Sequence, residues 1–210
     1  RAITYTFVNA DIVFNTTEFL RTVDALHACL KELAYFSSGY RYNTLIDNNG
    51  HIKMTTQTKS SSDAQDMFIT SKSYDWSVHD RRLQIGKMGI DNYLLDHAFH
   101  DNKIYLVDFS NILPLYHVTN SDVKSVDPKY QSDKSNYKYA RRFYHSPFDH
   151  GRMHFMPWIL KSTETGINVY KKASGFSPQE VKAKVDVGKG LISNYITKTL
   201  GLGTTLSKTN

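Results

Sequence analysis

Three histidines, an aspartate and an arginine lie close together between residues 145 and 154. They are His145, Asp149, His150, Arg152 and His154. Imidazole and carboxylate groups hold metal ions and transfer protons in enzymes, so this stretch has the side chains for such chemistry. Its irregular spacing, however, puts these side chains on no common helix face or hairpin face. We therefore expect no metal site here.

Glutamate and cysteine are both scarce in this chain. Of its 20 acidic residues, the glutamates are Glu18, Glu32, Glu164 and Glu180. A reaction that requires a glutamate therefore has few candidates. The single cysteine, Cys29, excludes an intrachain disulfide and a metal site rich in thiolates.

The composition fits one basic, globular domain. The chain has 210 residues, of which 40% are apolar, and this is enough to bury a core. A net charge of +6 permits attraction to phosphates, anionic lipid headgroups or an acidic protein surface. No apolar run approaches the roughly 20 residues that cross a bilayer as a helix. Because the sequence begins at Arg1, we expect a processed product or an excised fragment.

The N-terminal part is predicted to form a strand and an amphipathic helix. Residues 3–8 alternate and are rich in β-branched and aromatic side chains, which favours a strand. From Glu18 to Phe36 the apolar side chains recur every three or four positions, which is typical of one helix face. We interpret residues 1–38 as an appendage and residues 39–210 as the core domain.

The core domain is predicted to consist mainly of strands. The predicted elements are strands at 40–46, 51–55, 67–71, 103–109, 112–118, 153–160, 167–170 and 181–187, and helices at 91–99 and 191–200. The turn at 47–50 predicts a hairpin, and residues 112–118 are expected to pair with residues 103–109. Residues 119–152 are polar and lack a regular period, so we interpret them as an insertion. This pattern indicates an α+β fold with mainly antiparallel sheets.

Common motifs of nucleotide-binding proteins and serine hydrolases are absent. The sequence has no Walker A motif, no dinucleotide-binding glycine triplet and no Gly-x-Ser-x-Gly elbow. Aromatic and basic residues do alternate in Tyr137-Lys-Tyr-Ala-Arg-Arg-Phe-Tyr144, a pattern that can stack bases and hold a nucleic-acid backbone. Nucleic-acid binding through this segment is therefore one alternative function.

Four motifs follow one another in an order that is similar to a toxin family. They are Tyr40-Arg41-Tyr42-Asn43-Thr44, Phe68-Ile69-Thr70-Ser71-Lys72-Ser73, the two strands at 103–118, and Gly175-Phe-Ser-Pro178-Gln-Glu-Val181. Over residues 39–187 this series resembles the bacterial mono-ADP-ribosyltransferase toxins of the cholera and pertussis group. That family has an aromatic-Arg strand, a Phe-x-Ser-Thr-Ser strand, a Tyr-x-Tyr-x-Val strand and a catalytic glutamate in this order.

The resemblance implies transfer of ADP-ribose from NAD to a macromolecular acceptor, by a protein that is secreted or delivered into a host cell. It implies that Arg41 holds the NAD pyrophosphate as a bidentate donor and that Tyr42 or a nearby aromatic residue stacks on nicotinamide. Thr70 and Ser71 would support this site by hydrogen bonds, and Glu164 would be the catalytic carboxylate. Arg41 and Glu164 would then have to face each other across one cleft.

A non-enzymatic structural protein, such as a capsid or coat component of a virion, is the main alternative. The abundance of Thr, Ser, Asn and Tyr is natural in such a protein. An assembly component would associate with copies of itself through exposed apolar surface.

Overall fold

The computed structural model describes residues 4–47, 49, 51–59, 65–84, 89–118, 136 and 151–173. All of these residues belong to the compact unit Arg1–Gly175. Several predicted features lie outside the described residues: the strand at 181–187, the helix at 191–200, the motif at 175–181, the segment 137–144 and most of the insertion at 119–152.

The described residues form two α-helices and ten β-strands. The helices are α1 (Thr16–Leu30) and α2 (Ile90–His100). The strands are β1 (Thr4–Val8), β2 (Ile12–Val13), β3 (Ala34–Ser38), β4 (Arg41–Ile46), β5 (Ile52–Lys59), β6 (Met67–Ser71), β7 (Ile104–Asp108), β8 (Leu115–Val118), β9 (Trp158–Thr163) and β10 (Gly166–Lys171). Neither described helix has the length and apolar character needed to cross a membrane.

The strands form two mixed sheets. The main sheet has the order β1-β6-β3-β7-β9-β10, and the second sheet has the order β2-β8-β4-β5. The pairs β3–β7, β7–β9 and β4–β8 are parallel, and the other pairs are antiparallel. This confirms the predicted α+β class with mainly antiparallel strand pairs.

The predicted pairing of residues 112–118 with residues 103–109 is wrong. β7 and β8 belong to different sheets. After β7 the chain turns at Phe109, whose carbonyl accepts a hydrogen bond from the Ile112 N–H at 2.9 Å. Pro114 cannot donate a ladder hydrogen bond, so the next strand starts only after it. β8 then pairs with β4 and β2 in the second sheet.

The residues predicted to form an N-terminal appendage contribute to the main sheet from Thr4 onward. β1 and β3 are two of its strands, and α1 covers one of its faces. Val23, Leu26 and Leu30 of α1 share a buried cluster with Val107 of β7. The apolar face of an amphipathic helix is stable when it packs against other apolar side chains. The main sheet provides them, so these residues are part of the core.

α1 is shorter than the helix predicted from Glu18 to Phe36. Asn15 caps its start, and the helix ends at Leu30 because Lys31 adopts a positive φ of 44°. The following residues form β3, which lies between β6 and β7 in the main sheet. The apolar spacing after residue 30 fits a helix and a buried strand equally well. These residues form a strand because they pair with β6 and β7 on either side.

The two faces of the main sheet bury different side chains. Successive residues of a strand point to opposite faces, so Tyr35 joins the cluster under α1 and Phe36 points the other way. On that second face, the ring of Phe36 lies 5.0 Å from Phe68, 5.4 Å from Tyr74 and 6.4 Å from Trp76. The second face is therefore lined with aromatic rings.

Candidate functional site

Asn9, Arg41, Asp66 and Asp91 form a polar group, the Arg41 cluster, at one end of the main sheet. β6 is antiparallel to both β1 and β3, so its first residues lie beside the last residues of those strands. Asp66 directly precedes β6, Asn9 directly follows β1, and Arg41 begins the strand after β3. Strand pairing therefore gathers these three residues, and Asp91 joins them from the first turn of α2.

Asp66 is the centre of the contacts in the Arg41 cluster. Its Oδ2 lies 2.6 Å from Arg41 Nη1, and its Oδ1 accepts a hydrogen bond of 2.6 Å from Asn9 Nδ2. The Asn9 N–H also donates to the Asp66 carbonyl at 2.9 Å. Asp66 is only 6% exposed. The carboxylate is thus held in one orientation beside the guanidinium.

Two buried atoms of this cluster lack a hydrogen bond. They are Arg41 Nε and Asp66 Oδ2, neither of which has a partner at hydrogen-bond geometry among the described residues. Asp66 Oδ2 nevertheless lies 2.6 Å from Arg41 Nη1 and is stabilised there as one half of an ion pair, so Arg41 Nε is the atom that lacks a partner of any kind among the described residues. Buried polar atoms are satisfied in most native structures, so unsatisfied ones point to a role outside the fold itself.

Asp91 is the member of the Arg41 cluster that titrates near neutral pH. Its pKa is raised from 3.8 to about 7, first by burial and second by the negative charge of Asp66. The positive charge of Arg41 and a backbone hydrogen bond offset part of this rise. Protonated and ionised Asp91 therefore coexist around pH 7. A buried carboxyl group with a pKa near 7 is typical of acid–base sites.

Of the site residues predicted from the sequence, only Arg41 belongs to this cluster. Tyr42 is the next residue of β4, so its side chain points to the opposite face of the second sheet. There its ring lies 6.1 Å from the ring of Tyr116. The structure does not bring Tyr42 and the Arg41 guanidinium to one side of the strand.

Thr70 and Ser71 lie at the far end of β6 from Asp66. They follow Asp66 by four and five positions along the strand, which corresponds to about 14–17 Å. They also point to opposite faces of the sheet, and each hydroxyl accepts a hydrogen bond from within the protein. Thr70 Oγ1 accepts a hydrogen bond of 3.3 Å from Trp76 Nε1, and Ser71 Oγ accepts one of 3.2 Å from the Tyr35 N–H. Both residues are buried.

Glu164 lies in the turn between β9 and β10 and is exposed. Within the described part of the chain no ion pair or hydrogen bond joins it to Arg41, whose carboxylate partner is Asp66. The cleft between Arg41 and Glu164 that the resemblance requires is therefore not supported by a contact between them. The catalytic role of Glu164 stays a prediction.

Sequence reasoning did not single out Asp66 or Asp91. Asp66 follows a polar stretch and Asp91 lies in the first turn of a helix, where acidic residues are ordinary. Neither position differs in the sequence from the other aspartates. The distinguishing signal is spatial, because Asp66 meets Asn9 across a separation of 57 positions.

A second ion pair lies near the end of β7. Lys172 Nζ donates to Asp108 Oδ2 at 2.8 Å and lies 3.4 Å from the Met153 carbonyl oxygen. The Ser110 N–H donates to Asp108 at 2.9 Å, and the Tyr40 N–H donates to Ser110 Oγ at 2.8 Å. This network fixes the chain directly before Arg41. We interpret it as support for the Arg41 cluster.

A group of five aromatic and histidine side chains, the His79 cluster, packs between α2 and the second face of the main sheet. Its members are Tyr74, Trp76, His79, Tyr93 and His97. The Tyr74 hydroxyl lies 2.8 Å from His79 Nε2, and the Tyr93 hydroxyl lies 3.4 Å from His79 Nδ1. The His79 and His97 rings are 4.7 Å apart. Protonation of both rings would place two positive charges in contact.

The pKa values of both histidines are lowered. Burial is the first cause for His79, whose pKa falls to about 4, and the neighbouring His97 is the second. Burial also lowers the pKa of His97, and His100 adds to this effect. Carboxylates that face the pair oppose these shifts, namely Asp75 for His79 and Asp96 and Asp101 for His97. Both rings are therefore neutral in the folded protein at pH 7.

We expect the His79 cluster to make the fold sensitive to acid. A histidine whose folded pKa is depressed binds its proton more tightly in the unfolded chain, so the free energy of unfolding falls as the pH drops from about 6.5 to about 4. In His79→Phe this decrease in the free energy of unfolding should be smaller by roughly 2 kcal/mol. This value is discounted because water reaches part of the ring. Urea unfolding at pH 7.5 and 4.5 measures this.

The exposed His27 on α1 provides the matched control for this prediction. His27→Gln removes an imidazole without touching the His79 cluster, so any change that it causes in the pH dependence of unfolding is the baseline for His79→Phe. An equal pH dependence in wild type and His79→Phe would show that the His79 cluster is not the cause of acid sensitivity.

No family model, curated protein or solved structure matches this chain. Its function has to be inferred from the chemistry of its own residues. Among the described residues, no group of three or more His, Cys, Asp or Glu side chains is arranged to hold a metal ion.

Proposed function

We propose that this chain transfers ADP-ribose from NAD to a macromolecular acceptor, and that the reaction takes place at Arg41, Asp66 and Asp91. The observation that carries the proposal is the pair of carboxyl groups of unequal environment beside one arginine. NAD as the substrate rests on the resemblance to the toxin family. The position of the site rests on the Arg41 cluster.

The chemistry needs a carboxylate and a base. When the bond between nicotinamide and the ribose breaks, its electron pair leaves with nicotinamide, and positive charge develops on the ribose carbon. An ionised Asp66 beside that carbon would stabilise this charge. The acceptor then forms a bond to the same carbon and gives up its proton, which ionised Asp91 would accept. A pKa of about 7 suits this base.

Arg41 keeps donor capacity for the diphosphate of NAD. Its Nη1 faces Asp66, whereas its buried Nε has no hydrogen-bond partner among the described residues. A guanidinium binds phosphate oxygens through several N–H groups at once. Because Nε is buried, a diphosphate oxygen would reach it only after the side chains that cover it move, and it would then satisfy an atom that has no partner among the described residues.

Incubation of the purified chain with labelled NAD tests this function. We expect release of nicotinamide above the rate in buffer and transfer of label to macromolecules of a cell lysate. If the folded protein releases no nicotinamide and labels no acceptor, ADP-ribose transfer is wrong.

The non-enzymatic alternative, an assembly component, draws support from a different observation. Exposed large apolar side chains include Tyr5 at 53%, Leu20 at 56% and Leu33 at 45% exposure. Exposed apolar surface of this kind is used for contacts between proteins. A chain without NAD turnover that forms large assemblies would favour this function. Nucleic-acid binding through residues 137–144 stays a prediction, and binding that weakens steeply with salt would support it.

A further inference from the structure

β1 is an edge strand without the usual protection. It ends the main sheet, and its strand neighbour within the described residues is β6. Its sequence, Thr-Tyr-Thr-Phe-Val, contains no charge and no proline, and its register with β6 shows no bulge. Charges, prolines and bulges are common in natural edge strands because they prevent pairing with another chain. Among the described residues, the backbone groups of β1 on the side away from β6 therefore pair with no strand.

The other sheet edges are protected. β10, at the opposite edge of the main sheet, ends in Lys171, and Lys161 Nζ lies 5.9 Å from the ring centre of Tyr170 on this edge. In the second sheet, β5 contains two lysines and β2 has only two residues. Among the described edges, β1 is thus the one best suited to strand pairing.

The side chains of β1 continue an aromatic row that reaches the edge. Phe36, Phe68 and Phe7 lie on three adjacent strands, with ring centres 5.0 Å and 6.1 Å apart. Tyr5 is two residues from Phe7, so it points to the same face, and it is 53% exposed. A further strand with aromatic residues at the same spacing would extend this row.

We propose that β1 pairs with β1 of a second copy of this chain, antiparallel and with Thr6 opposite Thr6. A second copy supplies an uncharged strand of the same length with the same two aromatic residues. Twofold symmetry makes the pairing antiparallel, and centring it on Thr6 pairs all five residues. The two main sheets would then join into one continuous sheet.

The charges at the two ends of β1 agree with this arrangement. Lys72 follows Ser71, the residue paired with Thr4, and Asp11 lies beyond the Val8 end. Lys72 Nζ lies 3.9 Å from Glu32 Oε2, and Asp11 Oδ2 lies 3.0 Å from His117 Nε2. The side chains of Lys72 and Asp11 nevertheless remain 56% and 52% exposed and can also meet charges of a second copy. Antiparallel pairing brings the lysine end of one copy to the aspartate end of the other, whereas parallel pairing would bring like charges together.

Sedimentation velocity at roughly 1–200 μM tests the pairing. The average mass should rise from 24.1 kDa toward twice that value with concentration. Thr6→Lys places two like charges opposite each other and should raise the dimer dissociation constant by about tenfold or more. The matched control Asn168→Asp places a charge on the edge strand β10 opposite Lys161 and should leave the dissociation constant unchanged. Circular dichroism should show both variants folded.

Cross-linking tests the register. In a Cys29→Ser background, Thr6→Cys should form a disulfide-linked dimer under mild oxidation, because directly opposite residues lie within reach of a disulfide. Asn168→Cys should not. A wild type that stays monomeric, or a Thr6→Lys variant that dimerises like wild type, would overturn the proposal. Dimerisation and NAD turnover are measured separately, so either can fail alone.

Discussion

Asp91→Asn is expected to lower NAD cleavage and ADP-ribose transfer by at least about 100-fold. The substitution keeps the shape of the side chain but removes the group that takes up the proton of the acceptor, and a lost general base costs 100-fold to 10,000-fold. Release of nicotinamide and labelling of acceptor in a lysate both measure the loss. The ion pair between Arg41 and Asp66 does not involve the Asp91 side chain, so the substitution leaves both of its partners in place.

Two further variants locate the site. Asp24→Asn removes an exposed carboxylate from α1 and should keep full activity. Glu164→Ala should also retain activity if the Arg41 cluster carries the reaction. The prediction that Glu164 is catalytic requires the opposite pattern. Loss of activity in Glu164→Ala with full activity in Asp91→Asn would show that the Arg41 cluster is not the catalytic site.

The stability of Asp91→Asn gives a reading that does not depend on activity. The folded pKa of Asp91 is raised, so its protonated form is stabilising, and this contribution is lost as the pH rises from about 4 through about 7. Asparagine resembles the protonated form at every pH. Relative to wild type, Asp91→Asn should therefore gain roughly 2 kcal/mol more at pH 8 than at pH 5. Equal differences at both pH values would argue against a titrating Asp91.

Gly39→Ala is expected to destabilise the fold by roughly 3 kcal/mol or more. A Cβ at this position would overlap the ring of Phe109, with Phe109 Cδ2 only 2.6 Å away. The ring is fully buried and the Phe109 N–H is bonded to the Ser38 carbonyl at 2.9 Å, so it has little freedom to move. Urea unfolding at pH 7.5 measures the loss.

A smaller side chain at position 109 tests the cause. Phe109→Leu alone should cost stability by leaving a cavity. In the double variant Gly39→Ala with Phe109→Leu, the two costs should be less than additive, because the leucine relieves the overlap. Strictly additive costs would show that the Phe109 ring is not what excludes a side chain at position 39.

The sequence predicted those parts of the fold that depend on local patterns. The start of α1, the strands β6 and β7 and the α+β class follow from apolar spacing and turn residues. The end of α1 and the pairing of β8 were predicted wrongly. Both depend on pairing with strands that are close in space but distant in the sequence. β3 finds its parallel neighbour 70 positions later, at Ser37 and Val107.

The candidate site was less predictable than the fold. Arg41 stood out because it lies between two tyrosines in a strand. Thr70 and Ser71 have suitable hydroxyl groups, but their side chains point to opposite faces of the main sheet. Both faces are covered there, so both side chains are buried. The pKa of Asp91 is raised by burial and by the charge of Asp66, and the position of Asp66 is set by strand pairing, neither of which a local pattern records.

The order of strands in the main sheet has a consequence for how the chain folds. During synthesis, β1 and β3 emerge long before β6 and β7, which are their neighbours in the sheet. Such a high contact order favours folding times of milliseconds to seconds rather than microseconds. Among the described strands β1 pairs with β6, so this pairing cannot form until β6 leaves the ribosome. The nascent chain is therefore open to aggregation and to recognition by chaperones over that interval.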